Sequence, residues 1–250
     1  QAMMDFFNEN SEKLERLEPS SRKLFFNLDD EKIYQKQCVL SLLPDSLFMS
    51  LQDYQKGQVV RAMELLFGAE NLGNINHIVD ATCHVGCDSI NFSEIFPNSK
   101  ITCIDNDIEA IKVLKKNILS LKDPDRFNII YGDCTTFIKS QNVKADIFYF
   151  DPPWGGYGYL KKTNIDLVLG NQDISSITSY CLTYLTSHVL IKAPRNFNIK
   201  KFSALTQAQV YKYKIIKPSK KSLDTLTTDF NKNTDSTQNI AYYLLYVKRA

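Results

Sequence analysis

Three kinds of group meet in the stretch Asp151-Pro152-Pro153-Trp154-Gly155-Gly156: an acid, two prolyl carbonyls and the only tryptophan of the chain. The run before it, Ile147-Phe148-Tyr149-Phe150, reads as a short buried strand. Two consecutive prolines cannot continue a ladder, because proline lacks the N–H and has a fixed φ. The strand is therefore expected to stop at Asp151 and leave a stiff turn at its carboxyl end, the edge at which open α/β sheets bind ligands. The prolyl carbonyls are free to accept from an exocyclic amine, and an indole face stacks on a base or a ring cation. The combination suits transfer of a group to the amino nitrogen of a flat heterocycle. The bland alternative is a Pro-Pro loop over a packed tryptophan.

Positioning those groups requires a sheet, and the chain supplies strand after strand ending in an acid. Ile78-Val79-Asp80 leads into the small-residue loop Ala81-Thr82-Cys83-His84-Val85-Gly86, followed by a helix marked by Ile90, Phe92, Ile95 and Phe96. A second strand, Lys100-Ile101-Thr102-Cys103-Ile104, ends in Asp105-Asn106-Asp107, with Asp105 standing 25 residues after Asp80. An acid at that place accepts from ribose hydroxyls in nucleotide-binding folds, and one carboxylate can hold two vicinal hydroxyls. The spacing of Ile108, Ile111, Leu114 and Ile118 predicts a helix, and a third strand, Phe127–Tyr131, ends in Gly132-Asp133-Cys134. One such acid is commonly a helix cap. Four of them, with Asp151, line one edge of a parallel sheet.

The remaining composition sets bounds. A chain of 250 residues, 44% hydrophobic and 23% charged, suffices for one main domain with an extension. A net charge of +2 argues against binding nucleic acid through overall charge, although a local basic face is still compatible with it. Six cysteines without paired C-x-x-C spacing, and neither a leader nor a membrane-length apolar run, are expected of a reduced, non-membrane protein. Cys83, His84 and Cys87 are too few for a zinc site in a loop needed elsewhere, and the three histidines lack the partners of a hydrolase triad.

These residues together resemble class I S-adenosylmethionine-dependent methyltransferases. More narrowly, Pro152-Pro153-Trp154-Gly155-Gly156 followed by Tyr157-Gly158-Tyr159 resembles the trimethylguanosine synthase family, which methylates the 2-amino group of 7-methylguanosine caps. Leu24-Phe25-Phe26-Asn27-Leu28-Asp29-Asp30-Glu31-Lys32-Ile33 is similar to that family's arm, and Lys192-Ala193-Pro194-Arg195-Asn196 to its Lys-x-Pro-Arg-Asn strand end. The resemblance implies a Rossmann-like α/β fold, a mostly parallel seven-stranded sheet with an antiparallel C-terminal hairpin. It also implies a core over residues 52–250 behind a helical N-terminal extension over residues 1–51.

The resemblance further implies S-adenosyl-L-methionine as cofactor and a capped RNA as partner. Asp105 would hold the donor's ribose, with Asn106 beside it. Asp80, Ala81, Thr82 and Gly86 would surround the methionine portion, and Asp133 with Cys134 would lie by the adenine, Asp151 closing the cofactor site. Trp154 would stack on the methylated guanine, and Asp151 with the Pro152 carbonyl would orient the amine. Tyr157 would touch the substrate from a lid, and Lys192, Arg195 and Asn196 would meet the cap phosphates. A monomer in the nucleus or cytoplasm is expected. His84 and Cys87 stand at two positions where the family has glycine, and Asp151 stands where it commonly has serine. Asp-Pro-Pro-Trp also occurs in amino-adenine methyltransferases, which keeps adenine methylation of RNA or DNA as an alternative. An inactive fold that only binds RNA is the other. Towards the C-terminus, Tyr211–Ile216 and Ala241–Val247 read as the hairpin strands, with a polar loop over residues 217–239 carrying Lys217, Lys220 and Lys221.

Overall fold

The computed structural model of the protein describes residues 15–16, 41–42, 53–217 and 239–250. Its centre is a seven-stranded sheet. The strands are β1 (His77–Asp80), β2 (Lys100–Asp105), β3 (Phe127–Tyr131), β4 (Ile147–Phe150), β5 (His188–Ala193), β6 (Gln209–Ile216) and β7 (Ile240–Lys248). Their spatial order is β6-β7-β5-β4-β1-β2-β3. Five strands run parallel, whereas β7 pairs antiparallel with both β5 and β6. The expected architecture, parallel with an antiparallel C-terminal hairpin, is the observed one. The chain order reverses between β1 and β4, and such a switch point opens a crevice at the carboxyl edge.

Alternation along each strand sends side chains to two cores. On one face Ile78, Ile101, Ile147, Tyr149, Leu190 and Leu244 pack against α1 (Asp53–Phe67), α2 (Cys87–Ile95) and α3 (Ile108–Leu119). On the other, Val79, Ile104, Phe148, Phe150, Ile191 and Leu245 pack against α4 (Cys134–Gln141), α5 (Ile174–Tyr184) and α6 (Ile199–Thr206). Three helices on each face satisfy a sheet buried on both sides. No helix among the described residues is long and apolar enough to cross a membrane.

The acids at strand ends do double duty as caps. Asp107 accepts from the amides of Glu109 and Ala110 to start α3, and Asp133 accepts from the Thr136 amide to start α4. At the start of α2 the capping residue is Gly86, with φ 94, and a β-carbon there would meet Leu114 Cδ1 at 2.3 Å. Gly86→Ala is therefore expected to destabilise the fold by about 1–3 kcal/mol, seen as a lower urea midpoint. An unchanged midpoint would show that Leu114 yields and the backbone relaxes.

Most of the N-terminal extension lies outside the described residues, including the arm over residues 22–33. Within the extension, Glu15–Arg16 pairs antiparallel with Ser41–Leu42. Of the polar loop, Lys217 donates its amide to the Asn239 carbonyl, while Lys220 and Lys221 lie outside the described residues.

Candidate active site

The loop between β1 and α2 is knitted to the end of β2. The Cys83 amide donates to the Ile104 carbonyl, and the His84 amide to Asp105 Oδ2 at 2.8 Å. Asp105 Oδ1 accepts from the Asp107 amide at 2.9 Å. Each oxygen of Asp105 thus takes one backbone N–H, and a carboxylate has acceptor sites for about two more. Asn106 is exposed beside it. His84 adopts φ 46, a left-handed conformation that histidine tolerates better than bulkier residues. Cys87, the other residue at a family glycine position, begins α2 and is buried. The loop turns into α2 on one glycine, Gly86, with φ 94.

Asp80 lies beneath that loop. It is 0% exposed, accepts from the Ser89 hydroxyl and the Thr82 amide, and burial pushes its carboxyl up to about 8. It acts as a neutral strut for the loop and is closed off from solvent. Because its pKa is raised by folding, the native state binds its proton more tightly than the unfolded chain does. Stability is then lost as pH rises from the ordinary carboxyl value of 3.8 up to about 8. Asp80→Asn, whose Oδ1 can still accept from the Thr82 amide while its Nδ2 donates to Ser89 Oγ, should raise the melting temperature at pH 8 and leave it nearly unchanged at pH 4. An equal effect at both pH values would refute a protonated Asp80.

At the end of β3, Asp133 caps α4 through Oδ1, which also accepts from the Thr135 hydroxyl, and that bond holds its carboxyl below the ordinary value. Cys134 is buried, with its thiol pushed up to about 12 by desolvation. Gly170 lies beside the other oxygen of Asp133, since a β-carbon there would stand 3.8 Å from Asp133 Oδ2.

At the end of β4 the Asp151 amide donates to Thr82 Oγ1 at 2.7 Å, joining the Pro-Pro turn to the β1 loop. Its side chain lies on the α2 face of the sheet, with Tyr149 two residues earlier and Lys192 on neighbouring β5. Lys192, expected at a cap phosphate, is instead only 5% exposed. Its Nζ stands 2.9 Å from Asp151 Oδ2, 3.5 Å from Asp88 Oδ2 and 5.3 Å from the centre of the Tyr242 ring. The reason is register: Lys192 follows Leu190 on one face of β5, so it points under α2 and away from solvent. Tyr149 donates its hydroxyl to Asp88 Oδ2 at 2.7 Å. Burial pushes the Asp151 carboxyl up to about 6 against the opposing pull of Lys192. The two carboxylates hold the Lys192 ammonium well above its ordinary range, against desolvation.

Trp154 is half-buried and packs against both cores at the sheet edge. Tyr159 meets it edge-on, with ring centres 5.3 Å apart and planes at 73°. The indole N–H has no acceptor in hydrogen-bond geometry, although it lies near enough to Asp151 to help hold that carboxyl down. Pro152 is buried, and Tyr157 sits in the turn Gly156–Lys161 that follows.

Asn196, also expected at a phosphate, braces that turn. Its Nδ2 donates to the Tyr159 carbonyl at 2.8 Å and the Lys162 carbonyl at 2.7 Å. Its main-chain carbonyl accepts from the Ile165 amide. Arg195 is half-buried and close enough to Tyr159 to lower that phenol's pKa against the effect of burial. Sequence reasoning missed Asp88 and Tyr242. Asp88 occupies the first turn of α2, and a phenol such as Tyr149 in an otherwise apolar strand signals a buried polar partner.

The chain matches the family model described as RNA cap guanine-N2 methyltransferase over residues 75–244. It is 26% identical over 201 residues to the trimethylguanosine synthase of Saccharomyces cerevisiae, covering 78% of this chain and 59% of that protein. It is 30% identical over 131 residues to the uncharacterized protein L320 of Acanthamoeba polyphaga mimivirus, covering 50% of this chain and 48% of that one. The chain thus spans about half to three-fifths of these relatives' lengths. A solved structure, the SAM dependent methyltransferase from Agrobacterium tumefaciens, superposes with a TM-score of 0.50 at 14% identity, covering 74% of this chain and 62% of that one, a likeness of fold. With the family match spanning the whole sheet from β1 into β7, the chain belongs to the RNA cap guanine-N2 methyltransferase family.

Proposed function

We propose that this protein transfers a methyl group from S-adenosyl-L-methionine to the exocyclic 2-amino group of a 7-methylguanosine cap on RNA. The observation that carries the reading is the turn after β4, where the largely buried Asp151 and half-buried Trp154 stand side by side at the edge that also holds Asp105 and Asp133. The acceptor set fits the donor: Asp105 has capacity for two vicinal hydroxyls, and Asp133, at the end of the next strand, would accept from an adenine amine. Gly86 and the amides of the loop over residues 81–86 would line the methionine portion.

The cofactor, when bound, supplies a methyl already activated on a sulfonium. The protein's share is therefore placement of the acceptor. Trp154 stacks on the cationic 7-methylguanine, a pairing about 0.5–2 kcal/mol stronger than for a neutral ring. The Pro152 carbonyl and Asp151 take the two N–H bonds of the amine and aim its lone pair along the line of displacement. Asp151 Oδ2 faces Lys192, so Oδ1 is the acceptor we assign to the amine. During transfer the Asp151 carboxylate, ionised at neutral pH, would draw density from the amine N–H. The proton leaves through Asp151 to solvent.

Asp151 favours a second reading. An acid at the first position of the motif also suits the 6-amino group of adenine. Transfer of tritiated methyl to 7-methylguanosine diphosphate, against unmethylated guanosine and adenosine nucleotides, decides between them. Labelling of the methylated guanosine is expected. Labelling of adenosine alone would install the second reading, and no transfer with no donor binding by calorimetry would leave an RNA-binding scaffold.

A further inference from the structure

We infer that Lys192 is a positioning residue for this reaction, and that with Asp88 it sets the pH at which the Asp151 carboxylate can serve the amine. The inference rests on the proposed methyl transfer. Its ground is the arrangement under the Pro-Pro turn, where two acids and one lysine share a closed space. Asp151 comes from the end of β4, Lys192 from β5 and Asp88 from α2, with Lys192 2.9 Å from the first acid and 3.5 Å from the second.

The groups around this cluster include Tyr149 on β4, bonded to Asp88, Tyr242 on β7, whose ring lies under the ammonium, Asp80 on β1, which acts on Asp88, and the indole of Trp154, which acts on Asp151. One cation among three carboxyls is a specific electrostatic balance. Asp80 contributes little at neutral pH because it is protonated. Of the two ionised acids, Asp88 repels the charge on Asp151 and Lys192 attracts it. Desolvation drives Asp151 towards its neutral form, and the lysine limits that drift.

A neutral Asp151 would offer its amine neighbour a hydroxyl and could not draw density from an N–H. The same ion pair fixes the carboxylate's direction, since Oδ2 is held on the buried side. Lys192 therefore acts through Asp151, on both its charge and its aim. A surface lysine at this position would be screened by water. The value of this one comes from being enclosed.

The test is the pH profile of methyl transfer in the full chain. For the native protein, activity should rise through a midpoint near 6, with the ionisation of Asp151. Lys192→Met removes the attraction and should move that midpoint up by at least about one pH unit, with kcat depressed at neutral pH and restored by alkali. Lys192→Arg should keep the midpoint low. Asp88→Asn removes the repulsion and should move it the other way. Equal loss at every pH in Lys192→Met, with its midpoint unmoved, would overturn the proposal. If that variant does not fold, Asp88→Asn decides: a downward shift supports the charge balance and a fixed midpoint refutes it. A carbon-13 carboxyl titration of Asp151 by NMR reads the same balance without turnover. If the cap is not methylated yet Asp151 titrates higher in Lys192→Met, the choice of substrate fails and the role of Lys192 stands.

Discussion

Trp154→Ala is expected to lower kcat/KM on a cap analogue by about 10³-fold while the protein still folds. Stacking of one base on an aromatic ring contributes about 1–3 kcal/mol, which alone accounts for about 10–100-fold. The rest comes from alignment, because a base that tilts by about an ångström moves its amine off the displacement line. Trp154 is half-buried at the rim and touches both cores, so some stability is lost with it. Circular dichroism and donor affinity by calorimetry separate the two effects. Native-like melting with unchanged donor binding and lost turnover supports stacking. Unchanged turnover on the cap analogue would remove the indole from the mechanism. Trp154→Phe should recover part of the activity and, through its weaker quadrupole, lose preference for the methylated, cationic guanine.

Asp151→Asn carries the second large effect, an expected fall in kcat of about 10²–10⁴-fold. The asparagine retains an acceptor oxygen and the same shape, so the Thr82 tie at 2.7 Å, which uses the main-chain amide, survives. The negative charge that draws density from the amine does not. The substitution also takes from Lys192 its nearer carboxylate and leaves Asp88 at 3.5 Å, and a buried cation with poorer compensation costs about 3–5 kcal/mol. Asp151→Asn combined with Lys192→Met should thus be more stable than Asp151→Asn alone, with activity no better. Thermal melts and single-turnover transfer of tritiated methyl check the two halves. If Asp151→Asn turned over normally, placement by Trp154 and Pro152 would suffice and the acid would be a structural partner of Lys192.

The order of the core could be read from the chain because its cues are local. Strand ends were marked by Asp80, Asp105, Asp133 and the Pro-Pro pair, and the unbroken apolar run Ile147-Phe148-Tyr149-Phe150 marked a short strand, which is buried on both faces. The hairpin strands at the C-terminus followed from the same alternation, and the observed β6 and β7 extend the expected limits by only one or two residues. Helices α4, α5 and α6 were harder to read. They are short, rich in threonine, serine and lysine, and gain their stability from packing on the second face of the sheet.

What the sequence determined by itself was the set of groups at the carboxyl edge and the family to which they belong, because strand ends, glycine and proline act through the backbone nearby. Where two of the polar side chains point was decided only in three dimensions. Lys192 and Asn196 both sit in a stretch that suggests phosphate contacts. The parallel pairing of β4 with β5 turns one inward onto Asp151, and the return of the chain past Ile165 ties the other to the turn carrying Tyr159. Both outcomes depend on partners 30 or more positions away, and no local propensity encodes them. The same holds for the protonation of Asp80 and Asp151, which follows from how completely the helices above them exclude water.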